Sequence, residues 1–331
     1  MSWVTSYALP RLLQWAIVIL IGTTVTFVVP RLLPTDPVEQ TLRRVSTSLV
    51  DPRAVESFRN TLQDLYGLQG TPLEQYGRFW ARLARADLGP SLGAFPTPVT
   101  QIIRDGLPWT IGLLGVSTLL SWILGLSLGT LAAYFPKSRW SHLVGGVLIA
   151  LYPVPYFILA LVLVLAFAYY IPLFPLVGGS SGSPANLGPY LWSIVQHSFL
   201  PALSLVIIGT AYRFIVARAL ASTQVSSDSV QYAEVAGLPR RRIIFGYVMR
   251  NSLLPQVTDL ALALGALFEG ALITEFVFSY PGIGYRLYTA ILQSDFNMIM
   301  GITIFSIVGI ATAALAIDLL YPLFDPRVRY R

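Results

Sequence analysis

Residues 228–255, DSVQYAEVAGLPRRRIIFGYVMRNSLLP, form a charged, helix-compatible island between two long apolar segments. Small residues come first, followed by Gly237, the basic run 240–242 and a return to apolar sequence at 253–255. A membrane protein does not need so ordered a loop merely to reverse its direction. The pattern therefore predicts a shaped cytoplasmic surface that another protein can grip.

The composition places the rest of the chain in a membrane. Of its 331 residues, 55% are hydrophobic and 11% are charged, whereas a soluble domain carries about 25% charged residues. The chain has no cysteine, which excludes disulfides and thiolate metal sites. Its two histidines, His142 and His197, are too few and too scattered for a histidine-rich metal centre. We therefore expect an all-α polytopic membrane protein with no nucleic-acid partner.

A transmembrane helix needs about 20 mainly apolar residues, and the sequence contains six candidates. A turn-rich stretch at 178–184 separates the third from the fourth, because residues 140–212 contain no Asp, Glu, Lys or Arg. The candidate spans are residues 12–30, 107–135, 143–170, 199–221, 253–276 and 298–320.

The orientation follows from the basic residues in the short loops, which concentrate on the cytoplasmic side. With the N-terminus inside, the inside set comprises Arg11, Lys137, Arg139, Arg213, Arg218, Arg240, Arg241, Arg242, Arg250, Arg327, Arg329 and Arg331. The outside loop at 171–198 has none, and the loop after the fifth span has only Arg286. Both termini are therefore predicted to be cytoplasmic.

The long connection at 31–106 is the one candidate soluble element. Apolar residues at i, i+3 and i+4 spacing predict two amphipathic helices in it, one around 55–66 and one around 76–83. We expect this extracytoplasmic segment to lie against the outer ends of the membrane helices, either as a packed connection or as a lip that receives a partner or substrate. It divides the chain into residues 1–106 and a five-helix core at 107–331.

The sequence argues against catalysis by this chain. The only lysine, Lys137, is followed by Ser138 but no glycine precedes it in 131–136, so a phosphate-binding P-loop is excluded. His197 has Ser198 and Ser204 nearby, but it lies at the outer edge of a span, where a surface role is the commoner one. We assign no catalytic and no metal-binding residues.

Two acidic residues fall inside the predicted fifth span, and intramembrane charges are functional candidates by default. Asp259 and Glu269 are therefore candidates for lining a translocation pathway, where they could favour a cationic or hydroxyl-rich solute. The alternative for Glu269 is an interhelical hydrogen bond or pairing with an arginine. Proton coupling would also suit these acids, which keeps an ion-gradient-driven secondary transporter open.

The second predicted span carries small residues at every fourth position. Ser121, Gly125, Gly129 and Ala133 lie on one helical face, and such ladders permit close helix contact. We predict a packing role for this ladder.

Local rules predict a helix, a bend and a second helix within the island. Ser226 or Ser227 can cap a helix that begins near Asp228. Gly237 can adopt the left-handed turn that ends it, and Pro239 suits the start of the next helix. The predicted coupling helix spans about 226–238, and its small residues would let another backbone approach closely.

The island resembles the coupling motif of ABC importer permeases, E-A-A, three residues, G, and an ending of I-x-L-P. Gln231-Tyr232-Ala233 stands where E-A-A would, with Gly237 and the 253–255 LLP in register. Further resemblance to the first permease of the dipeptide/oligopeptide/nickel family runs through RLLPTDP at 31–37, DLGPSL at 87–92, EFVFSYPGIG at 275–284, DLLY at 318–321 and DPRVR at 325–329.

This resemblance implies a type I ABC importer permease fold and half of a translocation pore in a bacterial or archaeal inner membrane. The implied ATPase-coupling residues are Gln231, Tyr232, Ala233, Glu234, Ala236, Gly237, Leu238, Arg240 and Arg241. The implied structural residues are Asp36, Pro37, Glu275, Pro281, Gly282, Gly284 and Asp318.

The implied partners are a second permease forming a heterodimer, two ATPase subunits that bind ATP and Mg²⁺, an extracytoplasmic solute-binding protein and membrane lipid. The chain itself would bind no cofactor. Peptides are the implied substrate, with an oligosaccharide or a nickel complex as alternatives.

Overall fold

The computed structural model describes residues 7–32, 38–39, 42, 52–181, 183–269 and 271–324. Every regular element in these ranges is a helix, which confirms the predicted all-α class. In chain order the α-helices are α1 (Leu9–Leu32), α2 (Pro52–Leu65), α3 (Pro72–Leu83), α4 (Val99–Tyr134), α5 (Arg139–Leu151), α6 (Tyr156–Val164), α7 (Leu187–Val225), α8 (Asp228–Val235), α9 (Arg240–Ile243), α10 (Arg250–Gly265), α11 (Leu272–Val277), α12 (Ile283–Gln293) and α13 (Phe296–Phe324). Short π-helical or 3₁₀ segments extend three of them, at Leu165–Tyr170, Ile244–Met249 and Ala266–Glu269.

The chain divides into two compact units. The first comprises Met1–Trp109 with Gly282–Leu315, and the second comprises Thr110–Pro281 with Ala316–Arg331. The division expected from sequence, into residues 1–106 and a five-helix core at 107–331, stays a prediction.

Among the described residues, four helices are long and apolar enough to cross a bilayer: α1, α4, α7 and the Phe296–Leu319 part of α13. A fifth crossing results if α5 and α6, with its π-helical extension, count as one broken span. These elements match five of the six candidate spans.

The third candidate span was expected to run without interruption through 143–170. Instead, the helix axis bends by 99° between α5 and the segment Tyr156–Tyr170. Pro153 and Pro155 explain the break, because proline removes a backbone donor and restricts the residue before it to extended conformations. Val154 lies between the two prolines, and Pro155 itself has an extended ψ of 134°.

The fifth candidate span is also divided. The described part of this span is divided among α10, the 3₁₀ turn Ala266–Glu269 and α11, and α10 alone has only 16 residues. Gly265 ends α10, where the low helix propensity of glycine favours a stop.

In the first unit, both predicted amphipathic helices are present as α2 and α3. Leu62 of α2 and Tyr66, directly after α2, are buried, and the Tyr66 ring meets Phe296 edge-on at 6.4 Å. In α3, the rings of Tyr76 and Phe79 lie 5.2 and 5.1 Å from that of Phe27 in α1. The two helices therefore pack on the ends of membrane helices, as expected.

The 87–92 motif is held by hydrogen bonds within the first unit. Ser91 Oγ and Gly93 N donate to the buried Asp295 carboxylate at 2.5 and 2.9 Å. Burial raises the pKa of Asp87, but the hydrogen bonds from the Gly89 amide and the Arg82 guanidinium, together with the Arg82 charge, lower it by more. The pKa of Asp87 therefore lies below its ordinary value. Asp87 therefore stays ionised beside Arg82, at 3.0 Å.

In the second unit, the small-residue ladder of α4 faces α7. A Cβ on Gly125 would lie 2.5 Å from that of Arg213, and one on Gly129 would lie 2.7 Å from that of Ala217 and 2.8 Å from the Phe214 carbonyl oxygen. These contacts lie between backbones rather than flexible side-chain ends, so the predicted packing role is confirmed.

Replacing Gly129 by valine should destabilise the second unit. The new methyl groups have no space against the α7 backbone, and overpacking of this kind costs about 1–3 kcal/mol. Thermal unfolding of the purified protein in detergent should show a lower midpoint. Gly146→Val is the matched control, since nothing lies within 4 Å of a Cβ at Gly146; equal midpoints for the two variants would contradict the close contact.

Candidate functional site

The helix-bend-helix predicted from sequence is present. Ser227 precedes α8 in an extended conformation, and Asp228 lies in its first turn. Gly237 has φ +71°, and its amide donates to the Glu234 carbonyl while the Leu238 amide donates to that of Ala233. This pair of bonds is the Schellman arrangement that ends helices at a left-handed glycine.

Ser227 does not cap α8 with its side chain. Its hydroxyl donates backward to the Gln224 carbonyl at 2.6 Å and contacts the Ser229 hydroxyl at 3.0 Å. The break between α7 and α8 is therefore held by serine bonds within the turn, and α8 begins by backbone geometry.

One side of α8 is buried in the chain's own interior. Val230 and Ala233 are 1% and 4% exposed, within a cluster that also contains Ala133 of α4, Ala221 of α7 and Val248. Ala233 therefore has almost no surface to offer a partner, unlike the other members of the predicted coupling set. Its small side chain serves close packing beneath the helix.

The opposite side of α8 is apolar and exposed. Tyr232 and Val235 are 75% and 88% exposed, and they lie three residues apart on one face, where side chains are neighbours. Gln231, Ala236 and Gly237 are exposed as well. Exposed large apolar side chains on an otherwise ordered surface are typical of protein–protein contact.

Val235 was not among the coupling residues predicted from sequence. The sequence could have indicated Val235, because it lies three residues after Tyr232 and on the side of the helix away from Val230 and Ala233.

Glu234 ties α8 to the end of α4. The Tyr134 hydroxyl donates to the Glu234 carboxylate at 2.9 Å. After the bend, Arg240 and Arg241 are exposed at the start of α9 while Ile243 is buried. Leu238 is partly buried against the inner cluster. The segment thus has an anchored inner face, an apolar outer face and a basic flank.

Asp259 lies in α10 and faces an arginine of α7. Its Oδ2 is 3.5 Å from the Arg213 Nε, and the Arg213 Nη1 donates to the Ser121 hydroxyl at 3.1 Å and to the Gly209 carbonyl at 3.4 Å. The Arg213 and Asp259 side chains are 12% and 33% exposed. One proposed pathway residue is therefore half of an ion pair, while the side chain of the other, Glu269, lies outside the described residues.

The predicted structural residues are placed as follows. Glu275 is fully buried and accepts a hydrogen bond from the Thr110 hydroxyl at 2.8 Å. Pro281 and Gly282 precede α12, of which Gly284 is a buried member, and Asp318 is partly buried in α13. Asp36 and Pro37 lie outside the described residues.

His197 is engaged locally, with its Nδ1 2.7 Å from the Ser193 carbonyl oxygen. Among the described residues, no group of three or more His, Cys, Asp or Glu side chains is arranged to hold a metal ion.

Comparison with known proteins bears on this geometry. Residues 125–330, which contain the whole helix-bend-helix, match the family described as "Binding-protein-dependent transport system inner membrane component". The probable D,D-dipeptide transport system permease protein DdpB of Escherichia coli K12 is 30% identical, over 98% of both chains.

Two Bacillus subtilis relatives also align over nearly their full lengths. The oligopeptide transport system permease protein AppB is 28% identical over 98% of this chain and 99% of its own. The dipeptide transport system permease protein DppB is 27% identical over 98% of this chain and 97% of its own. The chain belongs to the family of binding-protein-dependent transport system inner membrane components.

Proposed function

We propose that this chain is the permease subunit of an ATP-driven, binding-protein-dependent ABC importer and forms half of its pore. The observation that carries this proposal is the exposed pair Tyr232 and Val235 on a helix whose other face is anchored in the chain's interior. A secondary transporter driven by an ion gradient has no use for such a surface, and the relatives do not support one.

The anchored face explains how a partner's movement would reach the membrane helices. Val230 and Ala233 pack against Ala133 at the end of α4 and Ala221 at the end of α7, and interiors packed this closely transmit displacement. Two partner ATPases would bind ATP and Mg²⁺ and pull α8, while this chain would do no chemistry and bind no cofactor.

The proposed topology has six spans, with α10 to α11 completing the sixth crossing as a broken helix and both termini in the cytoplasm. The segment at 31–106 would then face the outside, where the solute-binding protein delivers the solute. A second, similar permease would complete the pore as a heterodimer in a bacterial or archaeal inner membrane.

Peptides are the proposed substrate class, because the relatives are named for oligopeptide, dipeptide and D,D-dipeptide transport. Nothing in the described residues favours an oligosaccharide or a nickel complex. Asp259 is a weaker candidate for attracting a cationic solute than its sequence position indicated, because Arg213 already offsets its charge.

Co-purification tests the assembly directly. The chain would be extracted from its native membrane in mild detergent and its companions identified by mass spectrometry. Two nucleotide-binding subunits and a second permease are expected. A stable chain without companions, with ion-driven uptake after reconstitution, would overturn the proposal.

Gly237→Asp should reduce ATP-driven uptake by about tenfold or more, because it places a desolvated charge at a protein–protein contact. Gly237→Asn is the matched control, since both side chains tolerate φ +71° better than most others do and only one carries the charge. The space around a Cβ at Gly237 is open, so the fold should persist in both. Equal uptake by the two variants would show that no partner closes over Gly237.

A further inference from the structure

A cavity of about 300 Å³ with several charged lining residues lies in the first unit, among α1, α3 and the start of α13. Its charged lining residues are Arg31, Arg78, Arg82, Asp64 and Asp87. Arg82 is paired with Asp87 at 3.0 Å. The lining residues therefore carry one more positive than negative charge, and the exposed carboxylate of Glu74, outside the lining, interacts with Arg78.

Neutral oxygens accept hydrogen bonds from the other two arginines of the cavity, Arg31 and Arg78. Arg31 donates to the Gln75 side chain at 3.1 Å and to the Phe27 carbonyl at 2.8 Å, with its guanidinium 3.6 Å from the centre of the Phe27 ring. Arg78 donates to the Gln69 carbonyl. Arg31 is thus oriented by neutral groups, whereas Arg78 also interacts with the Glu74 carboxylate. A guanidinium oriented by neutral groups keeps its charge for hydrogen bonds to an anion.

An apolar groove of about 840 Å³ shares a wall with this cavity. Leu83, Leu88 and Ile304 line both. The groove continues along α1, the start of α4 and α13, and Trp15 is among its lining residues. Arg104 is the one charged residue in this lining. Its remaining surface is almost entirely apolar, formed by side chains such as Ile19, Ile103, Leu107, Phe305 and Val308.

We propose that this cavity and the adjoining groove bind one anionic phospholipid, with the phosphate beside Arg31 and Arg78 and an acyl chain in the groove. A soluble anion would account for the arginines but not for the groove. A neutral lipid would account for the groove but not for the arginines. Arginine guanidinium groups bind phosphate oxygens through charge-assisted hydrogen bonds, and a cavity of this volume is within the range of ligand sites.

Such a lipid would connect elements that are far apart in sequence. The headgroup would bridge Arg31 at the end of α1 and Arg78 in α3, and the acyl chain would fill the space beside α13. Bound lipid would therefore fix the segment around α3 to the membrane helices that it packs against.

Binding of the lipid headgroup is tested by native mass spectrometry of the delipidated protein, purified with whatever subunits accompany it. Phosphatidylglycerol and phosphatidylcholine with identical acyl chains are the probes. We expect tighter binding of phosphatidylglycerol, and an Arg31→Gln/Arg78→Gln variant should weaken it by about 25-fold, at about fivefold for each arginine. Arg85→Gln removes an exposed charge just after α3, outside the cavity lining, and should change nothing.

Equal affinity for the two lipids, or equal losses in the Arg85 variant, would overturn the proposal. So would full displacement of phosphatidylglycerol by glycerol phosphate, which would indicate a site for a soluble anion. Binding to the isolated chain but not to the assembled transporter would identify the groove as a contact with another subunit, and would also overturn it.

The groove is tested separately, in case the double variant does not fold. Val308→Trp should fill the groove and lower retention of both lipids, because the acyl chain loses its space. Val18→Trp places the same ring on the exposed side of α1, which is 52% exposed at that residue, and should retain lipid as the parent does. Equal retention by the two tryptophan variants would show that no acyl chain lies in the groove.

Discussion

Replacing Val235 by aspartate should separate this permease from the ATPase subunits proposed as its partners, without unfolding it. Val235 is 88% exposed, so the free chain loses almost no packing. In the assembly, an apolar anchor at the centre of an interface contributes at least about 2 kcal/mol, roughly 30-fold in affinity. A carboxylate that is desolvated there without a partner adds to this loss.

The measurement is the amount of ATPase that co-purifies with equal amounts of permease, followed by ATP-driven uptake in vesicles. Ser229→Asp is the matched control, because it adds the same charge to an exposed position on the same helix. We expect ATPase to be lost with Val235→Asp and retained with Ser229→Asp. Retention in both would show that the Tyr232 and Val235 face is not where the ATPase binds.

The helix-bend-helix could be predicted because its determinants are local. Gly237 ends α8 through a left-handed conformation that other residues adopt at a cost, and Pro239 starts the next turn with a fixed φ. Neither choice depends on what packs nearby. The same holds for α2 and α3, because the apolar periodicity that predicts each helix lies entirely within that helix.

The break between α5 and α6 was missed although both of its prolines were visible. Hydropathy averages over about 20 residues, so an apolar Pro153-Val154-Pro155 step leaves the average high. Prolines are also tolerated in membrane helices when neighbouring groups satisfy the freed backbone. The sequence therefore indicates a membrane-buried segment but not whether it bends.

The inner and outer faces of α8 could not be separated from sequence either. Small residues serve a docking surface and a tight internal contact equally well, and Ala233 proved to be buried while Ala236 is exposed. The face of α8 that carries Ala233 is buried because it packs against Ala133 and Ala221, about 100 and 12 residues before Ala233 along the chain. Such contacts are known only from the structure.

The partner of Asp259 likewise depends on long-range packing. Arg213 lies in α7 and Asp259 in α10, and the helix-bend-helix comes between them along the chain. Ser121, which Arg213 also contacts, lies in a third helix, α4. Local sequence marks Asp259 as unusual for a membrane helix, but it does not say which arginine approaches it. The distinction matters, because a paired carboxylate stabilises the fold whereas an unpaired one meets solute.

Removing either member of the Arg213–Asp259 pair should destabilise the protein more than removing both. Breaking a buried pair leaves an uncompensated charge at about 3–5 kcal/mol, and the 33% exposure of the Asp259 side chain lowers our expectation to about 2–3 kcal/mol. Arg213→Gln and Asp259→Asn should each lower the unfolding midpoint in detergent, and the double variant should recover part of the loss.

The double-mutant cycle isolates the pair from the bonds that Arg213 makes to Ser121 and Gly209, since those are lost equally in both backgrounds. Arg250→Gln, an exposed arginine at the start of α10, controls for net charge. A coupling energy under about 0.5 kcal/mol would mean that the pair contributes no more than a surface ion pair. If Asp259→Asn instead left stability unchanged and altered which solutes are taken up, Asp259 would line the route and Arg213 would only accompany it. If stability falls and solute preference stays, the pair holds α7 against α10, the two helices on either side of the helix-bend-helix.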